Sequence, residues 1–248
     1  NSNQHDLNSM IAGQTDTFSP ALSVLRDTMI SELGTVPEKH RKIVEQLTGW
    51  NGKMDRGSTE PLIMMAWVHE AVTRIFEDDL GSVFKRFNAA NVTTMLRILR
   101  EGGARDWCDD RSTNTRESCG EILLAALEQV PGTLEEKYGS DRSEWKWGTA
   151  HTVFGEHRPF GKIWPLSKLF NVKRPSHGGP YTLNRGKTDF KDEQPFRSVH
   201  GAGYRGIYDL ADLEKSLFIQ STGQSGHFLS RWYDDQVDLW ADGEYVPM

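Results

Sequence analysis

The sequence predicts an α+β protein: a mostly helical first half, then a long loop region, then a β-hairpin followed by a C-terminal helix. Three observations carry this. Apolar residues recur at three- and four-residue steps before residue 140, Gly, Pro and aromatic residues gather after it, and two short extended runs near the C-terminus flank a turn. The predicted organisation is a helical region over 1–140 and an aromatic, Gly/Pro-rich region over 141–248. The 248 residues are enough chain for a sizeable core, and no solenoid-period repeat divides them.

Each element has its own warrant. Ser19-Pro20 supplies an N-cap and a proline at the first helical position, and Leu22, Leu25, Met29, Ile30 and Leu33 form a stripe that stops at Gly34. Val36-Pro37 begins a second helix, striped by Ile43, Val44 and Leu47 and stopped by Gly49, with a loop over 51–59 after it. Pro61 opens the most apolar helix, 62 to about 77, and Glu77-Asp78-Asp79 then reads as a solvated acidic turn, a cation site being the alternative. Segments 91–100 and 117–130 are two further helices. For the second, Thr115 is the expected N-cap, Ser118 is read as unable to complete a capping box, and Pro131-Gly132 is the expected terminator.

Past residue 140 the pattern breaks up. Segment 156–195 has little periodicity over about forty residues, a length expected of a loop that is functional or packed on something larger. Segments 204–209 and 216–220 are predicted strands, joined through Asp212-Leu213-Glu214. Gly223-Gln224-Ser225-Gly226 is a turn, and 233–241 a last helix with Val237 and Trp240 on one side.

Charge and hydropathy exclude whole classes of function. With 29 Lys+Arg against 35 Asp+Glu the chain is acidic, at −6, and it lacks the basic stripe that phosphate-backbone recognition requires. The longest apolar run, 62–68, falls far short of the roughly 20 residues of a membrane helix. No nucleic-acid or membrane partner is expected. The chain opens on Asn1 with no signal-peptide pattern, which predicts a processed, trimmed or excised chain.

Candidate chemistry is sparse. Cys108 and Cys119 are the two cysteines, and two thiols with no intervening His cannot complete a zinc site. A disulfide between them is the favoured reading, implying an oxidising, periplasmic or secreted location; two reduced, buried cysteines are the alternative. None of the eight histidines has metal-ligand spacing, and His151, His157, His177 and His200 are read as structural or surface residues. Gly201-Ala202-Gly203 fails to complete a dinucleotide-binding glycine loop, and Gly223-Gln224-Ser225-Gly226 fails as a nucleophile elbow because His227 stands where Gly is needed. Trp145 and Trp147 would share one face of a strand as an aromatic platform, although core packing is the commoner fate of such a pair. A free-standing binding module using that platform is the rival to any enzymatic reading.

An ordered string of words carries a further signal. Trp107-Cys108-Asp109-Asp110, Glu117-Ser118-Cys119, Trp145-x-Trp147-Gly148-x-x-His151, His200-Gly201-Ala202-Gly203-Tyr204-Arg205, Asp209-Leu210, Gly223-Gln224-Ser225-Gly226 and Tyr233-Asp234-Asp235-Gln236 with Trp240 follow one another. Together with Gln14-Thr15-Asp16 and Ser19-Pro20-Ala21, the string resembles the C-terminal part of the β subunit of the penicillin acylase family of N-terminal-nucleophile hydrolases. Gly203 departs from the Ser common there, and Arg231-Trp232 from a Pro-His pair.

The resemblance implies a secreted precursor that cleaves itself into α and β chains, folded as an αββα sandwich of which both regions here form one part. It implies hydrolysis of the amide bond of N-acyl compounds, such as penicillins, cephalosporins or N-acyl homoserine lactones. The nucleophile would be a β-chain N-terminal Ser, activated by its own α-amino group of pKa about 7.7 to 8.0. That Ser, its oxyanion Asn and the family's calcium ligands all lie upstream of the matched stretch. No residue here matches a catalytic position or holds a cofactor. Ser2-Asn3 mimics the start of the family's β chain, but Asn1 would acylate the Ser2 amine and Gln4-His5-Asp6 replaces the expected apolar strand. The implied partners are the upstream part of the β subunit and the α subunit, and this chain alone is expected to be inactive.

Overall fold

A computed structural model describes residues 6–86, 91–101 and 106–248, so Ser2 lies outside the described residues. The class is α+β: helices dominate up to residue 138, and three small antiparallel sheets follow.

Helix α1, Leu7–Gln14, is capped by Asp6, whose carboxylate accepts from Ser9 N at 2.7 Å. It buries no residue, and its apolar positions Leu7, Met10 and Ile11 make a stripe of only one turn. In α2, Pro20–Glu32, Ser19 Oγ accepts from Leu22 N and Gly34 follows the helix at φ +60°. Leu22, Leu25 and Met29 form its fully buried stripe. Helix α3, Glu38–Gly49, buries Ile43 and Leu47, and α5, Val92–Glu101, packs on α2.

Helix α4, Glu60–Leu80, is the centre of the molecule. Every residue from Pro61 to Val68 is buried, as expected of a helix surrounded on all sides. It runs one turn further than the sequence suggested, ending at Gly81 with φ +50°. Glu77, Asp78 and Asp79 are therefore its last helical turn, in which Glu77 is exposed as expected while Asp79 turns inward. The Asp79 side chain is fully buried and paired with Arg111 at 2.7 Å, while Asp78 accepts from Arg111 N at 3.0 Å. The Arg111 guanidinium meets the acidic turn.

Helix α6, Cys119–Tyr138, packs along α4, with Trp67 Nε1 donating to Leu123 O at 2.9 Å. Two expectations need correction. Ser118, not Thr115, is the N-cap, and with Glu121 it completes a reciprocal capping box. Thr115 lies three residues before the cap position, and its hydroxyl donates to Glu117 at 3.0 Å. Nor does Pro131-Gly132 stop the helix. Leu123, Leu127, Val130 and Leu134 are fully buried on both sides of Pro131, and that burial outweighs an interior proline's cost of about 3 kcal/mol. The helix ends at Gly139, φ +89°.

Segment 156–195 is folded and not a bare loop. Strands β1, Thr152–Gly155, and β2, Val172–Pro175, pair antiparallel and enclose the short helix α8, Leu166–Phe170. Strands β3, Gly186–Lys187, and β4, His200–Gly201, form a second pair. The expected hairpin is present as β5, Tyr204–Ile207, against β6, Leu217–Gln220, in register Tyr204 to Gln220, and β7, Val246–Pro247, adds a third strand. Between β6 and β7 lies α9, Val237–Asp242, shorter than expected at its start, with Val237 and Trp240 buried. The main core joins α2 to α6 with Trp145, Trp147 and Phe196, and a small second cluster gathers Ile219, Trp240 and Ala241.

Candidate functional site

Trp145 and Trp147 do not form an exposed platform. Trp147 opens the short helix α7, Trp147–Ala150, instead of lying on a strand, and the two indoles are 2% and 0% exposed. Each indole N–H donates to a backbone carbonyl, Trp145 to Gly139 O at 2.8 Å and Trp147 to Gly178 O at 2.7 Å. One turn on, His151 stacks on Trp147. Its Nδ1 donates to Phe196 O at 2.7 Å, which leaves Nε2 a bare acceptor facing Gly186. Burial pushes its pKa down to about 4, so the ring is neutral at neutral pH. The Trp-x-Trp-Gly-x-x-His word builds core, and Gly148 is required because a Cβ there would come within 2.8 Å of Arg56 Cβ.

The other recurrent words interlock in the same way. Arg205, buried in β5, donates to Trp240 O and to Asn184 Oδ1, both at 2.9 Å, with its guanidinium 4.7 Å from the Trp240 ring. Trp240 Nε1 donates to Ala202 O at 2.8 Å, and the indole lies close over Gly201. The His-Gly-Ala-Gly-Tyr-Arg word and the terminal Trp thus hold each other. Gln236 Oε1 accepts from Gln220 N at 3.1 Å, and Tyr233 OH donates to Phe170 O at 2.8 Å.

No nucleophile is assembled from the candidates. Ser225 Oγ accepts from His227 N, and His227 Nδ1 accepts from Leu229 N, so both groups serve the local turn. His177 Nδ1 accepts from Arg56 N at 3.3 Å, and burial, with the nearby Arg56 charge, lowers its pKa. His157 stacks on Phe160, and His200 is exposed on β4. Among the described residues no group of three or more His, Cys, Asp or Glu is arranged to hold a metal, and no helix is long and apolar enough to cross a membrane. Cys108 and Cys119 are joined in a disulfide that ties the segment before α6 to its first residue.

One cavity was not legible in the sequence, because its walls come from distant segments. Met65, Val68 and His69 of α4 face the 180–196 segment across a volume of about 220 Å³. Phe190 stacks on His69 at 4.1 Å, and Phe196 meets the ring edge-on at 6.0 Å. Burial lowers the pKa of His69, opposed by its hydrogen bond with Phe190 O.

With these words seen as an interlocked scaffold, comparison with known proteins decides the lineage. The penicillin amidase family model matches residues 1–248. The chain belongs to the penicillin amidase family. Among relatives of this penicillin amidase family chain, the acyl-homoserine lactone acylase QuiP of Pseudomonas aeruginosa is 27% identical over 99% of this chain and 32% of its own length. QuiP of Pseudomonas fluorescens Pf0-1 is 25% identical over 99% and 31%. The penicillin acylase 2 proenzyme of Pseudomonas sp. SE83 is 26% identical over 94% and 30%. The chain therefore spans about a third of the length of these relatives. The thermostable penicillin G acylase of Alcaligenes faecalis matches in structure with a TM-score of 0.58 at 13% identity, covering all of this chain and 47% of that one, a likeness of fold.

Proposed function

We propose that this chain is the C-terminal portion of the β subunit of an amidohydrolase that cleaves the amide bond of N-acyl compounds, with penicillins, cephalosporins and N-acyl homoserine lactones as the substrate class. The observation that carries the reading is the whole-length family match to a chain about a third as long as acylases of that kind. In this reading the acyl group is transferred to a β-chain N-terminal Ser outside this chain, whose amino group serves as base. The residues here supply scaffold: the helical layer and an outlying strand set of the αββα sandwich. Calcium, where the complete enzyme holds it, sits on upstream ligands. The disulfide fits the proposed periplasmic or secreted location.

Exposed apolar side chains fit the proposed partnership with the upstream β segment and the α subunit. Trp164 is 76% exposed and Leu210 88%, apolar surface that a partner would remove from water. The rival binding-module reading loses its basis, since Trp145 and Trp147 are core residues. The test compares the 248-residue chain with the complete processed protein on a chromogenic acyl anilide. Hydrolysis by the complete protein alone is expected, and turnover by the isolated chain at a comparable rate would overturn the scaffold role.

A further inference from the structure

The cavity between α4 and the 180–196 segment has the composition of a site for an amphipathic anion. Its floor is fixed and apolar: Val68 and Phe196 are 3% exposed, and Phe190 is held against His69 by stacking. Its mouth is cationic. Arg185 and Lys187 both line it and are exposed, and among the described residues neither is ion-paired; the Arg185 guanidinium makes a long, 3.5 Å approach to Pro180 O. Among the described residues no carboxylate lines the cavity. Asp189, between the lining residues Thr188 and Phe190, accepts from Lys191 N at 3.1 Å, and in the adjoining cleft Glu70 is engaged with Thr133 and Asp192 with Arg197.

A planar guanidinium with free donors pairs two-pronged with a carboxylate, and an ammonium beside it adds charge without geometric demand. The apolar floor favours a hydrocarbon tail, and burial of that tail adds affinity in proportion to its area. At about 220 Å³ the space is below the range of drug-sized pockets, which restricts the tail to a few carbons. We infer that this cavity binds a short-chain monocarboxylate, its tail against Val68, Phe190 and Phe196 and its carboxylate on Arg185 and Lys187. The inference rests on the cavity's own lining and not on the hydrolase reading.

The test uses the complete protein and the photoreactive short-chain acid 4,4-azipentanoate, with labelled peptides located by mass spectrometry. Labelling is expected on the peptides carrying Met65 to His69 or residues 180–196. Excess pentanoate is expected to suppress it and excess pentanamide, which lacks the charge, to leave it. In the Arg185→Ala/Lys187→Ala variant, whose substitutions are on the surface, labelling there is expected to fall about tenfold with the circular dichroism spectrum unchanged. Absence of label on these peptides in the wild-type protein, as when another part of the protein fills the cavity, overturns the inference. Equal competition by pentanamide, or undiminished labelling of the variant, does so too.

Discussion

Trp147 and His151 stack face to face in the core, ring centroids 4.5 Å apart and planes 12° from parallel, with neither side chain exposed to solvent. A ring so enclosed cannot be protonated without bringing a charge into an apolar site. Its pKa falls from 6.5 to about 4 on folding, so between those values the unfolded chain binds the extra proton. The stabilisation is complete above pH 6.5 and is lost as pH falls through about 4, amounting to about 3 kcal/mol. Urea unfolding at pH 7 and pH 4 is expected to give a larger drop in stability for the wild type than for His151→Gln, which removes the titration. Equal drops in the two proteins would assign the acid sensitivity to other groups.

Ser118 and Thr115 offer a direct contrast. Ser118→Ala removes the oxygen that accepts from Glu121 N, a cap loss of about 1 kcal/mol. Thr115→Ala removes only exposed contacts with Glu117 and Thr113, so its effect is expected to stay within about 0.5 kcal/mol. Thermal unfolding of the two variants side by side measures the difference, and the reverse ranking would restore Thr115 as the cap.

What could be read in the sequence depended on whether the deciding interaction was local. Helix α2 was legible because Ser19, Pro20 and Gly34 act within one turn of its ends. The β5/β6 pair was legible because its strands are close in the chain. Helix α1 was missed because its apolar stripe, Leu7, Met10 and Ile11, is a single turn long. The passage of α6 through Pro131 was hidden because the burial that outweighs the proline is supplied by α4. Trp145 and Trp147 have a spacing that suits a strand, and only contacts with Gly139 and Gly178 reveal a buried helical turn. The cavity beside His69 unites α4 with residues more than a hundred positions later, and no spacing rule reaches that far.

The pairing of Cys108 with Cys119 closes a short loop ahead of α6. On the chain-entropy account such a loop adds about 3 kcal/mol by restricting the unfolded chain. The Cys108→Ala/Cys119→Ala variant is expected to lose that amount in oxidising buffer and to match the wild type once the latter is fully reduced. A variant as stable as the oxidised wild type would show that the loop is held by Arg111, Asp79 and Glu117 instead.

Among the described residues buried Arg205 has no carboxylate partner, and its guanidinium is held by the Trp240 carbonyl, the Asn184 side chain and the Trp240 ring. Burial lowers its pKa without threatening its charge at neutral pH. The two oxygens it bonds are set apart, one from α9 and one from the turn before β3, and a planar fork reaches both. Lysine places a single ammonium on a flexible stem and cannot span them while lying flat on the indole. Arg205→Lys is therefore expected to cost about 2 kcal/mol through one unsatisfied buried acceptor and the lost stacking, despite conserving charge. Arg205→Met keeps the stem but strands both acceptors, so it is expected to cost more. Hydrogen exchange of the β5/β6 ladder should rise in the order wild type, Lys, Met, and an unchanged ladder in the Met variant would remove Arg205 from the set of residues that lock α9 to the sheet.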